Sequence, residues 1–309
     1  MTDRTDPHET HGPDAGGTGF PECPRHPGRA AYMACVGCRR PACLDCQAGT
    51  TSSGHVVCVD CAARREQERA AGVPRRRSAL KDTPALVWAL IGLTTLVYAG
   101  QWATLGSAAD LTALGWYAPG QTSTVVMEPY RMLSNAFLHS LQNPGHLVLN
   151  MLALWMLGRA LVRPLGTARF LTLYALSALG GSVAVLWLSD PRTPVLGASG
   201  AIYGLFAAVF VLTRARGGNI GSLTVLLAVN LVFSLTVPGI SWQGHLGGLA
   251  AGALVAGCFE LLGPGGRAAR GAGRRVPWVQ WAAVAAVLAG LVVLTAVGAA
   301  RITPAMLWP

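Results

Sequence analysis

"VLGASGAIYGLF" (residues 195–206) opens an apolar run with a serine set among glycine and alanine. Small residues let helices approach closely in lipid, so packing alone accounts for the stretch taken by itself. They also clear space around Ser199, as a nucleophile would need. The rest of the chain decides between the two readings.

Composition points to a bilayer. Of the 309 residues, 52% are hydrophobic and only 12% charged, with a mean hydropathy of +0.42, whereas a soluble domain carries about 25% charge. The net charge of +10 would suit nucleic acid, but most arginines sit beside apolar runs, where they orient spans. No nucleic-acid partner is expected. Runs of span length fall near 85–105, 145–162, 167–188, 198–213, 220–237, 242–262 and 277–300. With the N-terminus inside, the inner loops carry Arg159, Arg163 and Arg169, then Arg214 and Arg216, then Arg267, Arg270, Arg274 and Arg275. The outer loops carry only Arg131 and Arg192. This asymmetry obeys the positive-inside rule. It predicts a multi-pass protein of the cell membrane, with its N-terminus cytosolic and its C-terminus outside.

The fourth run, 198–213, is 16 residues long, about 24 Å of helix against a core of about 30 Å. The preceding "DPRTPVL" must then dip inward. Non-helical backbone at that depth needs protein or a water-filled cavity around it, which predicts a pocket open to the outside.

Three spans running from outside to inside carry polar residues in their first turns. "GHLVLNM" (145–151) has His146 and Asn150, "GASGAIYG" (197–204) has Ser199 and Tyr203, and "WQGHLGGLAAG" (242–252) has His245. Topology puts them at a similar depth near the outer face. Polar residues in spans are costly and default to function. Gly200 and Gly204 on the fourth span, with Gly244, Gly248 and Gly252 on the sixth, allow the close approach that a Ser–His hydrogen bond requires. The set fits nucleophilic catalysis, with Ser199 as nucleophile and His245 as base. Tyr203 would orient His245 by stacking; His146, Asn150 and the Ser199 N–H would stabilise an oxyanion. No orienting acid is found: Glu260 lies about 22 Å down a helix from His245, Asp190 is in a loop and Glu128 is in the first outer loop, so a dyad is expected.

Seven of the eight cysteines fall within residues 23–61. Cys23-x2-His26, Cys35-x2-Cys38, Cys43-x2-Cys46 and Cys58-x2-Cys61 form four ligand pairs, enough for two closed, structural zinc sites. A cross-brace is favoured: Cys23, His26, Cys43 and Cys46 on one ion, Cys35, Cys38, Cys58 and Cys61 on the other. Sequential pairing stays open, as does a ligand role for His55. Disulfides are disfavoured in a cytosolic module. The pattern resembles a B-box-type zinc finger. It predicts a disordered tail (1–20), a double zinc module (21–62) and a basic linker (63–84) near anionic headgroups.

"GASGAIYG", "GHLVLN", "NLVFSLTVPGISWQGHLGGLAAG" and "YRMLSNAFLH" together resemble a rhomboid intramembrane serine protease over residues 85–262. The resemblance implies hydrolysis of peptide bonds in or near transmembrane segments of other proteins, without a catalytic cofactor. It implies Ser199 as nucleophile, His245 as base, and His146, Asn150 and the Ser199 amide at the oxyanion. Gly197, Gly200, Tyr203 and Gly248 support them. The implied fold is an all-α polytopic membrane protein: a six-helix rhomboid-like core, a basic cytosolic loop (263–276) and a seventh span (277–300), preceded by the zinc module. The first outer loop, with Trp116, Tyr117, Tyr130 and Phe137, is expected to seat at the interface. Tyr130-Arg131 replaces the family's Trp-Arg pair, two extra residues separate His139 from His146, and Gly244 stands where Ala often precedes the histidine. Expected partners are transmembrane substrates, the bilayer, and a cytosolic protein recruited by the finger. Two other classes compete: a non-proteolytic relative that holds transmembrane clients, and a small-solute transporter. The retained Ser and His weigh against the first; the one-sided polar set weighs against the second.

Overall fold

The computed structural model describes residues 20–51, 54–70, 83–263 and 277–308. Nearly all of the expected disordered tail, the middle of the basic linker and the basic inner loop lie outside them. The chain divides into two units, Met1–Ser78 and Ala79–Pro309.

In the first unit, three antiparallel hairpins precede one helix. β1 (Glu22–Cys23) pairs with β2 (His26–Ala30), β3 (Met33–Ala34) with β4 (Pro41–Ala42), and β5 (Gln47–Thr50) with β6 (Val56–Cys58). Helix α1 (Val59–Ala70) carries Cys61 in its first turn and runs on into residues expected to be linker. The core consists of seven buried or half-buried thiols with Ala31, Ala42 and Val57. So few apolar groups cannot offset the chain entropy of ordering about 50 residues.

The second unit is helical: α2 (Ala85–Thr104), α3 (Leu111–Gly115), α4 (Arg131–Ser134), α5 (Pro144–Leu165), α6 (Thr167–Leu188), α7 (Ser199–Ala215), α8 (Gly221–Thr236), α9 (Trp242–Leu262), α10 (Pro277–Arg301) and α11 (Pro304–Leu307). Every apolar run read as a span is a helix. Five of them, α2, α5, α6, α9 and α10, are long and apolar enough to cross a membrane. The helices α7 and α8 are shorter, at 17 and 16 residues. Pro144 opens α5, where a missing N–H costs nothing. Gly166 alone separates α5 from α6, at φ +79° and ψ 161°, a conformation open essentially only to glycine.

Glycine brings α6, α7 and α9 into backbone contact. A Cβ on Gly181 would lie 2.8 Å from the Gly244 carbonyl oxygen and 3.4 Å from Gly200 Cα. One on Gly248 would run into the Gly200 carbonyl, and one on Gly252 into Gly204. Between helices in lipid, such van der Waals fit replaces the hydrophobic drive. Around this seam lie Leu154, Phe170, Leu173, Leu205 and Val255, all fully buried.

The loop after α2, expected to lie outside, is pinned rather than loose. Asp110 caps α3, accepting from the N–H groups of Thr112 (2.8 Å) and Ala113 (3.2 Å). Donation from Gly106 and Ala113 holds its carboxyl below the usual range. Buried Arg131 donates to the carbonyls of Ala113 (2.7 Å) and Trp116 (3.2 Å) and to Glu128 (2.7 Å). Its guanidinium lies between the rings of Trp116 and Tyr130, 5.8 and 5.5 Å from their centroids. Tyr117 differs from expectation. It is fully buried in a cluster with Met132, Val183 and Val185, because its backbone is paired into the protein and carries the ring inward.

Candidate active site and metal centre

Ser199 is the first residue of α7. The segment leading to it is held by backbone hydrogen bonds: Tyr117 and Val195 exchange N–H and carbonyl (3.0 and 2.7 Å), and the Gly197 N–H donates to the Asn135 carbonyl (2.9 Å). These backbone groups of Val195 and Gly197 are thus satisfied against loop 105–143. Gly197 has φ +127°, and a Cβ there would lie 2.7 Å from His146 Cε1, 2.8 Å from His146 Nε2 and 3.8 Å from Ser199 Oγ. The missing side chain therefore leaves room that the His146 ring occupies, on the side that Ser199 Oγ also faces. A cavity of about 30 Å³ adjoins Ser199, lined by Asn135, Ser182, Gly197, Gly200 and Gly244 among others. It has room for about one water.

His146 Nδ1 accepts a long hydrogen bond (3.4 Å) from the Ser140 N–H. That contact favours the tautomer with the proton on Nε2, the nitrogen facing Gly197. Asn150 donates one amide hydrogen to the His146 carbonyl one turn back (2.7 Å), and its NH₂ group has a second.

His245 lies in the first turn of α9 and is 7% exposed. Tyr203 stacks on its ring, with centroids 4.1 Å apart and planes 13° from parallel. His245 Nδ1 is 2.7 Å from the hydroxyl of Ser234 on α8. Ser234 escaped the sequence reading, because a lone serine in an apolar run looks like a helix back-bond. The signal was its place 11 residues before His245, across one short loop. Among the described residues, no hydrogen bond joins Ser199 to His245; nucleophile–base contacts are often loose before substrate binds. The three carboxylates act elsewhere or stand apart: Glu128 on Arg131, Asp190 on the Arg192 N–H of its own turn (2.9 Å), and Glu260 near the far end of α9.

In the N-terminal unit the eight ligand side chains gather in two groups. One is Cys23, His26, Cys43 and Cys46; the other is Cys35, Cys38, Cys58 and Cys61. Within each, the ligand atoms lie within 4.8 Å of one another. Cys23 and Cys46 sulfurs are 3.7 Å apart, as are those of Cys38 and Cys58. Four thiolates at about 2.3 Å from a tetrahedral ion would stand about 3.8 Å apart, while a disulfide needs about 2 Å. Cys35 Sγ accepts from the N–H groups of Gly37 (3.4 Å) and Cys58 (3.2 Å), as a metal-bound thiolate does. Either group could hold a metal ion; His55 joins neither.

Residues 126–260 match the family profile described as a rhomboid domain. The chain carries a rhomboid domain. It is 32% identical over 186 residues to "Rhomboid protease GluP" of Bacillus subtilis (strain 168), covering 58% of this chain and 35% of that protein. It is 34% identical over 134 residues to "Putative rhomboid protease YdcA" of the same organism, covering 41% of this chain and 66% of that one. "Rhomboid protease GlpG" of Yersinia pestis (strain Pestoides F) is 29% identical over 155 residues, with 48% of this chain and 54% of that one covered. The chain thus spans about a third of GluP and about half of GlpG. The rhomboid domain contains all of α5 to α8 and nearly all of α9. It leaves out the cysteine-rich unit and the C-terminal helix. The protein is a multi-pass membrane protein.

Proposed function

We propose that this rhomboid protein is an intramembrane serine endopeptidase that hydrolyses peptide bonds in or near transmembrane segments of other membrane proteins. The observation that carries the reading is the stacking of Tyr203 on His245 across the α7–α9 seam, with His146 Nε2 and Ser199 Oγ both facing Gly197. Ser199 Oγ attacks the scissile carbonyl as His245 Nε2 takes its proton. His146 Nε2–H, the second Asn150 amide hydrogen and the Ser199 N–H stabilise the oxyanion. His245 then protonates the leaving amine, and a water repeats the sequence on the acyl-enzyme. Excluding bulk water from the site strengthens each of these interactions.

The N-terminal module binds two structural zinc ions on the interleaved ligand groups. A site closed by four thiolates, or by three thiolates and an imidazole, leaves no position for substrate, so the ions supply folding energy. The arginine distribution supports a cytosolic N-terminus and an outer C-terminus. A cytosolic module of this kind suits recruitment of a protein partner.

Labelling by a fluorophosphonate probe tests the enzyme assignment. Wild type should react and Ser199→Ala should not. Equal labelling of both, or of neither, removes Ser199 as an activated nucleophile.

A further inference from the structure

The Ser234 hydroxyl, 2% exposed, has three polar neighbours: His245 Nδ1 at 2.7 Å, Tyr203 OH at 2.8 Å and the Asn230 carbonyl oxygen at 2.8 Å. Tyr203 OH also lies 3.0 Å from that carbonyl. We infer that Ser234 is a positioning residue that holds His245 as its Nδ1–H tautomer. The inference rests on the protease reading above and supplies the orienting group that no carboxylate provides.

Counting protons decides the direction of each bond. Tyr203 and Ser234 bring one hydroxyl proton each, and the carbonyl brings none. If Nδ1 is bare, two protons can make only two hydrogen bonds in the cluster. If Nδ1 carries its proton, three form together: Tyr203 OH to Ser234 Oγ, Ser234 OH to the Asn230 carbonyl, and Nδ1–H to the second lone pair of Ser234 Oγ. Ser234 is thereby an acceptor toward histidine because its own proton is committed one turn back along α8. In a buried cluster the arrangement with more bonds wins. The proton on Nδ1 leaves Nε2 with a lone pair, the form that a general base must have.

The placement of Ser234 is specific. It is the buried residue of α8, between Phe233 and Leu235, which are 56% and 58% exposed. One hydroxyl therefore ties three helices together: α7 through Tyr203, α8 through its own turn, and α9 through His245. Removing it frees both ring nitrogens, and the tautomers mix.

The test reads tautomer and turnover separately on the full-length protein in nanodiscs. Histidine ¹⁵N spectra, with His245 assigned by loss of its signals in His245→Gln, should show a protonated Nδ1 and a bare Nε2 in wild type. Ser234→Ala should populate the Nε2–H form and lower kcat about 10- to 100-fold, below the full worth of a general base, with KM little changed. Ser234→Thr, which keeps the hydroxyl, should restore both. Ser199→Ala should lose cleavage yet keep the wild-type tautomer. If wild type does not cleave, the protease reading fails while the spectra still decide the tautomer. The inference is overturned by a wild-type proton on Nε2, by Ser234→Ala with unchanged tautomer, or by Ser234→Thr as impaired as Ser234→Ala.

Discussion

At the residue scale, the proposed chemistry turns on the polar side chains of α5, α7 and α9. The motifs around Ser199, His146 and His245 singled out the candidate residues, because a serine, an asparagine and two histidines near one end of apolar spans have little structural excuse. The contacts from which we infer the proton arrangement were not legible, since they come from Ser234 and Ser140, whose sequence context is ordinary. His146 and Asn150 should act on the transition state. Replacing either with alanine should lower kcat by up to about 100- to 1000-fold, roughly 3–4 kcal/mol, while substrate affinity holds. Single-turnover cleavage together with substrate binding to the Ser199→Ala background separates the two. Weakened binding with unchanged kcat would move Asn150 to the substrate groove. Gly197→Ala is expected to be more damaging than its size suggests, because the Cβ would meet the His146 ring at 2.7 Å in a backbone conformation that disfavours it.

At the element scale, the seven apolar runs translated directly into helices, since span length and hydropathy are local properties. Loop 106–144 did not. Its aromatics read as interfacial, but backbone pairing between Tyr117 and Val195 turned Tyr117 inward, and such pairing joins segments far apart in sequence. The glycine ladder was legible, and the structure adds what each glycine faces. Gly248→Ala should push α9 off α7, because its Cβ would strike the Gly200 carbonyl. Overpacking of this kind costs about 1–3 kcal/mol. Thermal unfolding in detergent should show a lower midpoint for Gly248→Ala and little change for Gly257→Ala on the same helix, where nothing lies within 4 Å of the added carbon. Equal midpoints for the two variants would mean that the seam relaxes freely.

At the scale of the whole molecule, a small cysteine-rich unit and a rhomboid domain follow from one contrast in the sequence: ligand pairs first, apolar spans after. Metal analysis of full-length protein should return about two zinc ions per chain. A strong chelator should release them, and the seven thiols within residues 23–61 should then react with a maleimide. Protection of those thiols after complete metal removal would favour disulfides instead. A reporter fused after Pro309 should be active only outside the cytosol if the arginines set the topology; cytosolic activity would invert it. The central claim, that Ser199 cuts membrane proteins, is tested most directly by purified protein in liposomes with a co-reconstituted single-span substrate. Wild type should yield two fragments with a new terminus in or beside the span, and Ser199→Ala should leave the substrate whole. Equal cleavage by Ser199→Ala, or none by a folded wild type across a panel of single-span substrates, would contradict the account.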